Sequence, residues 1–206
     1  ALAKAETLAA DARGRYGDLS PRGVAEHRGI AERMYAAWPA VFATGDGRTC
    51  RVESRSTLVP RCILSMAAFD ERLKELDPRI EITREASHRY LDYLAGGYDV
   101  EANSREGARV ADSLLRVRVT PDRFVGALFT DPSVVGDPVE FMQQFFLLAG
   151  IAQDMSHLGI SLYDVFTDEE LYALWESGNA RLYLQMGPSV PFGDRVLASA
   201  RPLLRN

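Results

Sequence analysis

Between Arg48 and Arg61 the sequence sets four arginines, Arg48, Arg51, Arg55 and Arg61, against one acid, Glu53, a local charge of +3. A guanidinium fork suits two-point contact with carboxylate or phosphate, so the chemistry this stretch offers is anion binding. Arg55 stands at the end of a predicted strand, directly before Ser56, Thr57 and a predicted helix whose first N–H groups lack internal acceptors. Open α/β sheets hold ligands at the carboxyl ends of their strands, and a helix start adds unpaired donors and a positive dipole end to the arginine. The competing reading is a solvated edge on which these arginines pair with neighbouring carboxylates such as Glu53.

Other reactive side chains are sparse. The three histidines stand as Glu26-His27-Arg28, Ser87-His88-Arg89 and Ser156-His157-Leu158. His27 falls in an apolar stripe and reads as a packing histidine, with a role near phosphate as the alternative. Asp154 and His157 lie three apart on one helix face, half of a metal site without a second half, so neither metal nor cofactor is expected. Cys50 and Cys62 could bridge, but one belongs to a strand and the other to the apolar face of a helix, and free buried thiols are the expectation. The cluster Phe141, Phe145 and Phe146 reads as helix core rather than as a substrate groove.

The elements that must position the arginines follow from periodicity. An alanine-rich helical segment runs from Ala1 to about Tyr16. Ser20 is a natural N-cap with Pro21 at the first helical position, and Val24, His27, Ala31, Met34 and Trp38 form one stripe that Pro39 stops. Beyond Gly45-Asp46-Gly47 the pattern alternates, Cys50, Val52 and Ser54 against Arg51, Glu53 and Arg55, as in a strand. A second helix buries Cys62, Met66, Phe69, Leu73 and Leu76 and ends at Asp77-Pro78; its start is delayed by Pro60. Ile80 and Ile82 then alternate with Arg79, Glu81 and Thr83, completing a unit of strand, helix and strand. Two strands alone expose both edges, so further sheet partners are expected from elsewhere.

From Ser87 onward the sequence is predicted helical: Ser87 to Leu94, about Val100 to Arg116, Pro121 to Phe129, a helix opening at Asp137-Pro138 that carries Phe141, Phe145, Leu148, Ala152 and Met155, one opening at the Thr167-x-x-Glu170 capping signature with Leu171, Leu174 and Trp175 as its apolar face, and a last one over Arg195 to Leu204. The fold class expected is α/β, mostly helical. Residues 1–86 are assigned to a partial α/β core, 87–190 to a helical domain and 191–206 to a helix returning to the core.

Composition sets the outer bounds. The 206 residues carry 24 Lys+Arg against 29 Asp+Glu, a net charge of −5, and 47% are hydrophobic. A chain of this length buries roughly 70% of its unfolded surface and needs no disulfide scaffold. The acidic balance argues against a general nucleic-acid binder, and no apolar run approaches the roughly 20 residues of a membrane span. Of the basic residues only Lys4 and Lys74 are lysines.

The run Glu53-Ser54-Arg55-Ser56-Thr57-Leu58-Val59-Pro60-Arg61-Cys62-Ile63-Leu64-Ser65-Met66-Ala67-Ala68-Phe69 resembles the Arg-Ser-Thr…Arg…Ser-Ala-x-Phe segment of the histidine acid phosphatases. Gly17-Asp18-Leu19-Ser20-Pro21-Arg22-Gly23, followed by His27 and Arg33-Met34, is similar to their Leu-Thr-x-x-Gly…His helix. The likeness is strongest to the bacterial branch of the multiple inositol polyphosphate phosphatases, which are phytases, and it continues through Leu162 to Thr167 and Gly187-Pro188-Ser189. It implies an α/β core with a helical cap, and hydrolysis of a phosphorylated small molecule, an inositol phosphate, through a phosphohistidine. Arg55 matches a phosphate-binding arginine of that family, and Arg51, Arg61, Arg84 and Arg89 become candidates for contacts to the substrate's other phosphates. No Arg-His-Gly run and no His-Asp or His-Ala-Glu run occurs in the chain. With the nucleophile and acid motifs both absent, the chain is expected to be the middle of a longer phosphatase, inactive in isolation. Export to the periplasm or the exterior is implied by the family alone. The alternative is a non-catalytic helical module that binds anions.

Overall fold

A computed structural model describes residues 1–15, 17–45, 47–94 and 101–193, with the side chains of 92, 93 and 101–104 outside the description. The fold is helix-rich with one small parallel sheet. It divides into two compact units, residues 14–95 and residues 1–13 with 96–206. The first helix therefore clusters with the helical second part of the chain, not with the strands as the sequence assignment of 1–86 has it. The expected helix over Arg195 to Leu204, and with it most of 191–206, lies outside the described residues.

In the α/β unit, α2 (Pro21–Ala37) starts where Ser20 accepts a hydrogen bond from the Gly23 amide at 3.0 Å, with Pro21 at the first position. Ala31 is fully buried on its inward stripe and Met34 and Tyr35 pack beside it. The expected end of that stripe, Trp38, is 55% exposed. The helix stops at Ala37 and Trp38 leaves helical geometry (φ −125°, ψ 61°), so the spacing of four no longer aims residue 38 at the core. Gly45 and Gly47, at φ +98° and +79°, turn the chain into the sheet in a region that side chains disfavour.

Strand β1 (Arg51–Ser56) pairs in parallel with β2 (Glu81–Ala86), Arg51 opposite Glu81 and Ser56 opposite Ala86. A parallel pair requires a crossover, and α3 (Pro60–Leu76) supplies it. Pro60 is the first residue of this helix, so it starts the helix without delaying it. The core of the unit is Ala31, Phe42, Cys50, Leu73 and Ile80, flanked by Val52, Phe69 and Ile82. Val52, Ser54 and Ser56 are turned inward, while Arg51, Glu53 and Arg55 face solvent. Parallel sheets are ordinarily covered on both faces. This one, among the described residues, has two strands and one wet face.

In the helical unit, α1 (Leu2–Asp11), α5 (Glu101–Arg118), α6 (Asp122–Leu128), α7 (Pro138–Ala152) and α8 (Asp168–Met186) enclose an apolar cluster. A short helix, α4 (Leu91–Leu94), belongs to the α/β unit and follows one turn of 3-10 helix at His88–Tyr90. Phe124 is fully buried at the centre, stacked on Phe166 at 4.7 Å between centroids and edge-on to Phe145 at 5.4 Å. The predicted starts hold. Asp137 caps α7 through the Glu140 amide, and Thr167 with Glu170 forms the complete capping box of α8. Met155 reaches the core from beyond the end of α7. Trp175, expected inside, is 58% exposed because the buried line of α8 runs through Glu170, Leu174, Ser177 and Leu184, one residue's rotation away. Gly107 lets α5 approach α8 closely: a Cβ there would lie 3.1 Å from the Leu184 carbonyl oxygen. No helix among the described residues is long and apolar enough to cross a membrane.

Candidate functional site

At the carboxyl end of β1 the chain runs Ser54-Arg55-Ser56-Thr57 and then folds into α3. A cleft of about 440 Å³ opens there, lined by these four residues, by His27 of α2, by Cys62, Ser65, Met66, Phe69 and Asp70 of α3, and by Leu94. Its position follows from topology, since the strand end and the start of the crossover helix leave a hollow between them.

The floor of the cleft is a buried carboxylate. Asp70 has no exposed surface; it accepts a hydrogen bond from the Ser54 hydroxyl at 2.7 Å and from Nε of Arg84 at 2.9 Å. Ser54 and Arg84 are register partners on β1 and β2, so one α3 carboxylate spans both strands. Desolvating a carboxylate is costly unless such charge-assisted bonds offset it, and these two make the unit's polar interior depend on a correct register. The sequence carried a weak signal for this: Asp70 is a charged residue adjoining the stripe of Met66, Phe69 and Leu73.

Arg55 reaches the cleft from the solvent-facing row of β1. It donates to Glu53 at 3.0 Å, lies 5.8 Å from the centre of the Tyr90 ring, and is 42% exposed. Its register partner is Glu85. Tyr90 and Arg89 both donate to Glu85, and these contacts, the Tyr90 hydroxyl first, hold its carboxyl below the ordinary range. Arg89 also donates to the Tyr90 hydroxyl at 2.8 Å and lies over its ring at 5.0 Å.

Of the five arginines singled out from the sequence, the cleft gathers only Arg55. Arg51 pairs with Glu81 at 3.1 Å across the sheet, Arg84 is taken by Asp70, and Arg89 by Glu85. Arg61 is exposed at the start of α3. Of the +3 stretch, which already counts Glu53, Arg51 is compensated by Glu81 from the neighbouring strand, while Glu85, opposite Arg55 in register, is taken by Arg89 and Tyr90. Counting charge along one segment does not register acids that arrive from a strand thirty positions later.

The start of α3 offers less than its sequence suggested. Pro60 has no N–H, and the Cys62 and Ile63 amides both return to the Val59 carbonyl, at 2.9 and 3.2 Å. Both cysteines are free thiols, Cys50 buried and Cys62 partly so. Burial first, and the nearby Asp77 second, push the Cys50 thiol up, which makes it inert. His157 faces Asp11 at 3.5 Å in the helical unit, and among the described residues no group of three or more His, Cys, Asp or Glu side chains is placed to hold a metal.

A second hollow, about 510 Å³, lies in the helical unit beside Ala1, Arg123 and Asp164. Its charges are paired: Arg123 with Glu170 at 2.7 Å and Asp164 with Lys4 at 2.7 Å. Compared with known proteins, the chain matches no family model and no curated sequence.

Proposed function

We propose that the cleft at the end of β1 receives the phosphoryl group of a phosphorylated small molecule, and that a longer protein containing this chain is a phosphomonoester hydrolase of the histidine acid phosphatase type acting on inositol polyphosphates. The observation that carries this reading is the meeting of Arg55 and Thr57 in one cleft of about 440 Å³, at a strand's carboxyl end, within the segment that resembles that family. A cleft of this size suits one small ligand. Arg55 would neutralise nonbridging oxygens, a role that grows in the transition state as charge develops there. Its contact with Glu53 is exposed and weak, and a dianion competes with it readily. The half-open sheet supports the same reading, because a phosphatase core would add strands beside β1 and β2.

Turnover by the 206 residues alone is not expected. Among the described residues no histidine hydrogen-bonds a hydroxyl or thiol that it could activate, the observation that favours the second reading, a module that binds an anion without chemistry. Changing Arg55→Ala in a full-length parent should lower kcat/KM on phytate by roughly 10²- to 10³-fold. Hydrolysis at the wild-type rate would remove the assignment. The genomic reading frame separates the two readings: Arg-His-Gly-x-Arg codons before Ala1 with His-Asp or His-Ala-Glu codons after Asn206 favour the enzyme, and their absence favours the module.

A further inference from the structure

The cleft contains four hydroxyls, and most of their protons are already spent. Ser54 donates to Asp70 at 2.7 Å, Ser56 to the Thr57 carbonyl at 2.8 Å, and Ser65 to the Arg61 carbonyl at 2.8 Å. Thr57 receives the Val59 amide at 3.5 Å, which leaves its own proton to give. An anion needs donors, so the serines present it with lone pairs and contribute nothing. Beside Arg55, which already holds Glu53, the cleft offers the Thr57 hydroxyl and one residue read from the sequence as packing, with a role near phosphate as its alternative.

That residue is His27. It is half-buried on α2, between Val24 and the fully buried Ala31, and it lines the same cleft from the helix opposite the strand end. A histidine that serves only to pack normally satisfies a ring nitrogen on a carbonyl or carboxylate. Among the described residues the His27 ring makes no hydrogen bond, whereas His157 faces Asp11. A neutral imidazole carries one N–H donor and a protonated one carries two, so either form can donate to a phosphate oxygen.

We infer that His27 contacts the bound anion, as a second donor that closes on the phosphate from α2 while Arg55 and Thr57 hold it from β1. This rests on the phosphate reading above and assigns a ligand contact to a helix that reading does not use. Gripping the anion from two elements would fix its orientation as well as its charge, which one exposed arginine cannot do.

The test is calorimetric titration of the 206-residue chain with inorganic phosphate and with inositol hexakisphosphate at fixed pH and salt. His27→Ala should weaken both by about fivefold or more, His27→Asn should recover most of the loss by restoring an N–H, and His157→Ala should change nothing. Direct ¹⁵N observation of the imidazoles in the unmodified chain should show the His27 nitrogens shifting on phosphate addition and those of His157 staying put, which needs no variant to fold. Unchanged affinity in His27→Ala and a silent His27 ring, with binding still lost in Arg55→Ala, would reduce His27 to packing and leave the phosphate reading standing. Binding that is insensitive to Arg55→Ala, or absent in the wild type, would overturn the reading and the inference together.

Discussion

The two units of this chain solve the same problem of burial with different materials. The helical unit has an interior of apolar and aromatic side chains grouped around Phe124, and its charged pairs, such as Arg116 with Asp137 and Arg123 with Glu170, anchor helix starts. The α/β unit has a small apolar core, and it buries two carboxylates, Asp70 at 0% and Asp77 at 4% exposure. A designer of pure stability would not place charge there, because a well-packed apolar replacement usually does as well or better. Asp70 lies beneath the carboxyl end of β1 and supplies the floor of the cleft, whereas Asp77 lies at the other end of the strands, bonded to Thr44 and Arg79. The helical unit also buries a carboxylate, Glu170, but at a helix start and in its pair with Arg123. The difference is that the fully buried Asp70 ties two strands together beneath the candidate cleft, while the helical interior is held mainly by aromatic packing.

Substitutions can break that contrast. The largest effect is expected from Phe124→Ala, which should cost about 4 kcal/mol by emptying the centre of the aromatic cluster. It should leave phosphate binding unchanged, as read by calorimetric melting and by titration of the same sample. Asp70→Ala should cost roughly 2–3 kcal/mol, because it leaves the Ser54 hydroxyl and the Arg84 guanidinium without their acceptor. Unlike Phe124→Ala, it should also weaken phosphate binding, since it loosens the strand end that carries Arg55. If Asp70→Ala melts like wild type and binds like wild type, the polar interior is not what holds the cleft.

A smaller, pH-dependent effect separates the second buried carboxylate. Arg79 first and Thr44 second hold the Asp77 carboxyl well below its ordinary value. A depressed carboxyl contributes stability that is present above its unfolded pKa, near 4, and that is lost as acid protonates it in the folded protein. Asp77→Asn should therefore lower the melting temperature at pH 7 and have progressively less effect below about pH 4, and a constant difference across that range would argue against the pairing. The smallest change is expected in the helical unit, where Thr167→Ala removes half of a capping box and should cost about 1 kcal/mol without touching binding.

Much of the scaffold was legible in the residues. Caps with unambiguous chemistry, Ser20 with Pro21, Asp137 with Pro138, and Thr167 with Glu170, placed the starts of α2, α7 and α8, and alternation placed both strands. Two tryptophans were misplaced because a helical stripe extrapolates poorly. Trp38 lies just past the end of its helix, and Trp175 is one residue's rotation off the buried line. The site was half legible. Arg55 could be read from its place at a strand end, but the acids Glu81 and Glu85 come from the far side of a crossover, and the unit of strand, helix and strand read from the sequence does not give the register that sets which residues stand opposite. Asp70 was hidden, and His27 stood open between packing and a role near phosphate, for a related reason. Each sits beside or within an apolar stripe, where its role depends on which partner the fold brings to it.

The central claim is that phosphate binds at the end of β1 through Arg55. It is tested most directly by following backbone amide resonances of the 206-residue chain during titration with inorganic phosphate. The account predicts saturable shifts concentrated in Ser54 to Cys62 and around His27, abolished by Arg55→Ala and spared by Phe124→Ala wherever that variant remains folded. Shifts centred instead on Lys4 and Arg123 in the helical unit, or none that saturate, would contradict it.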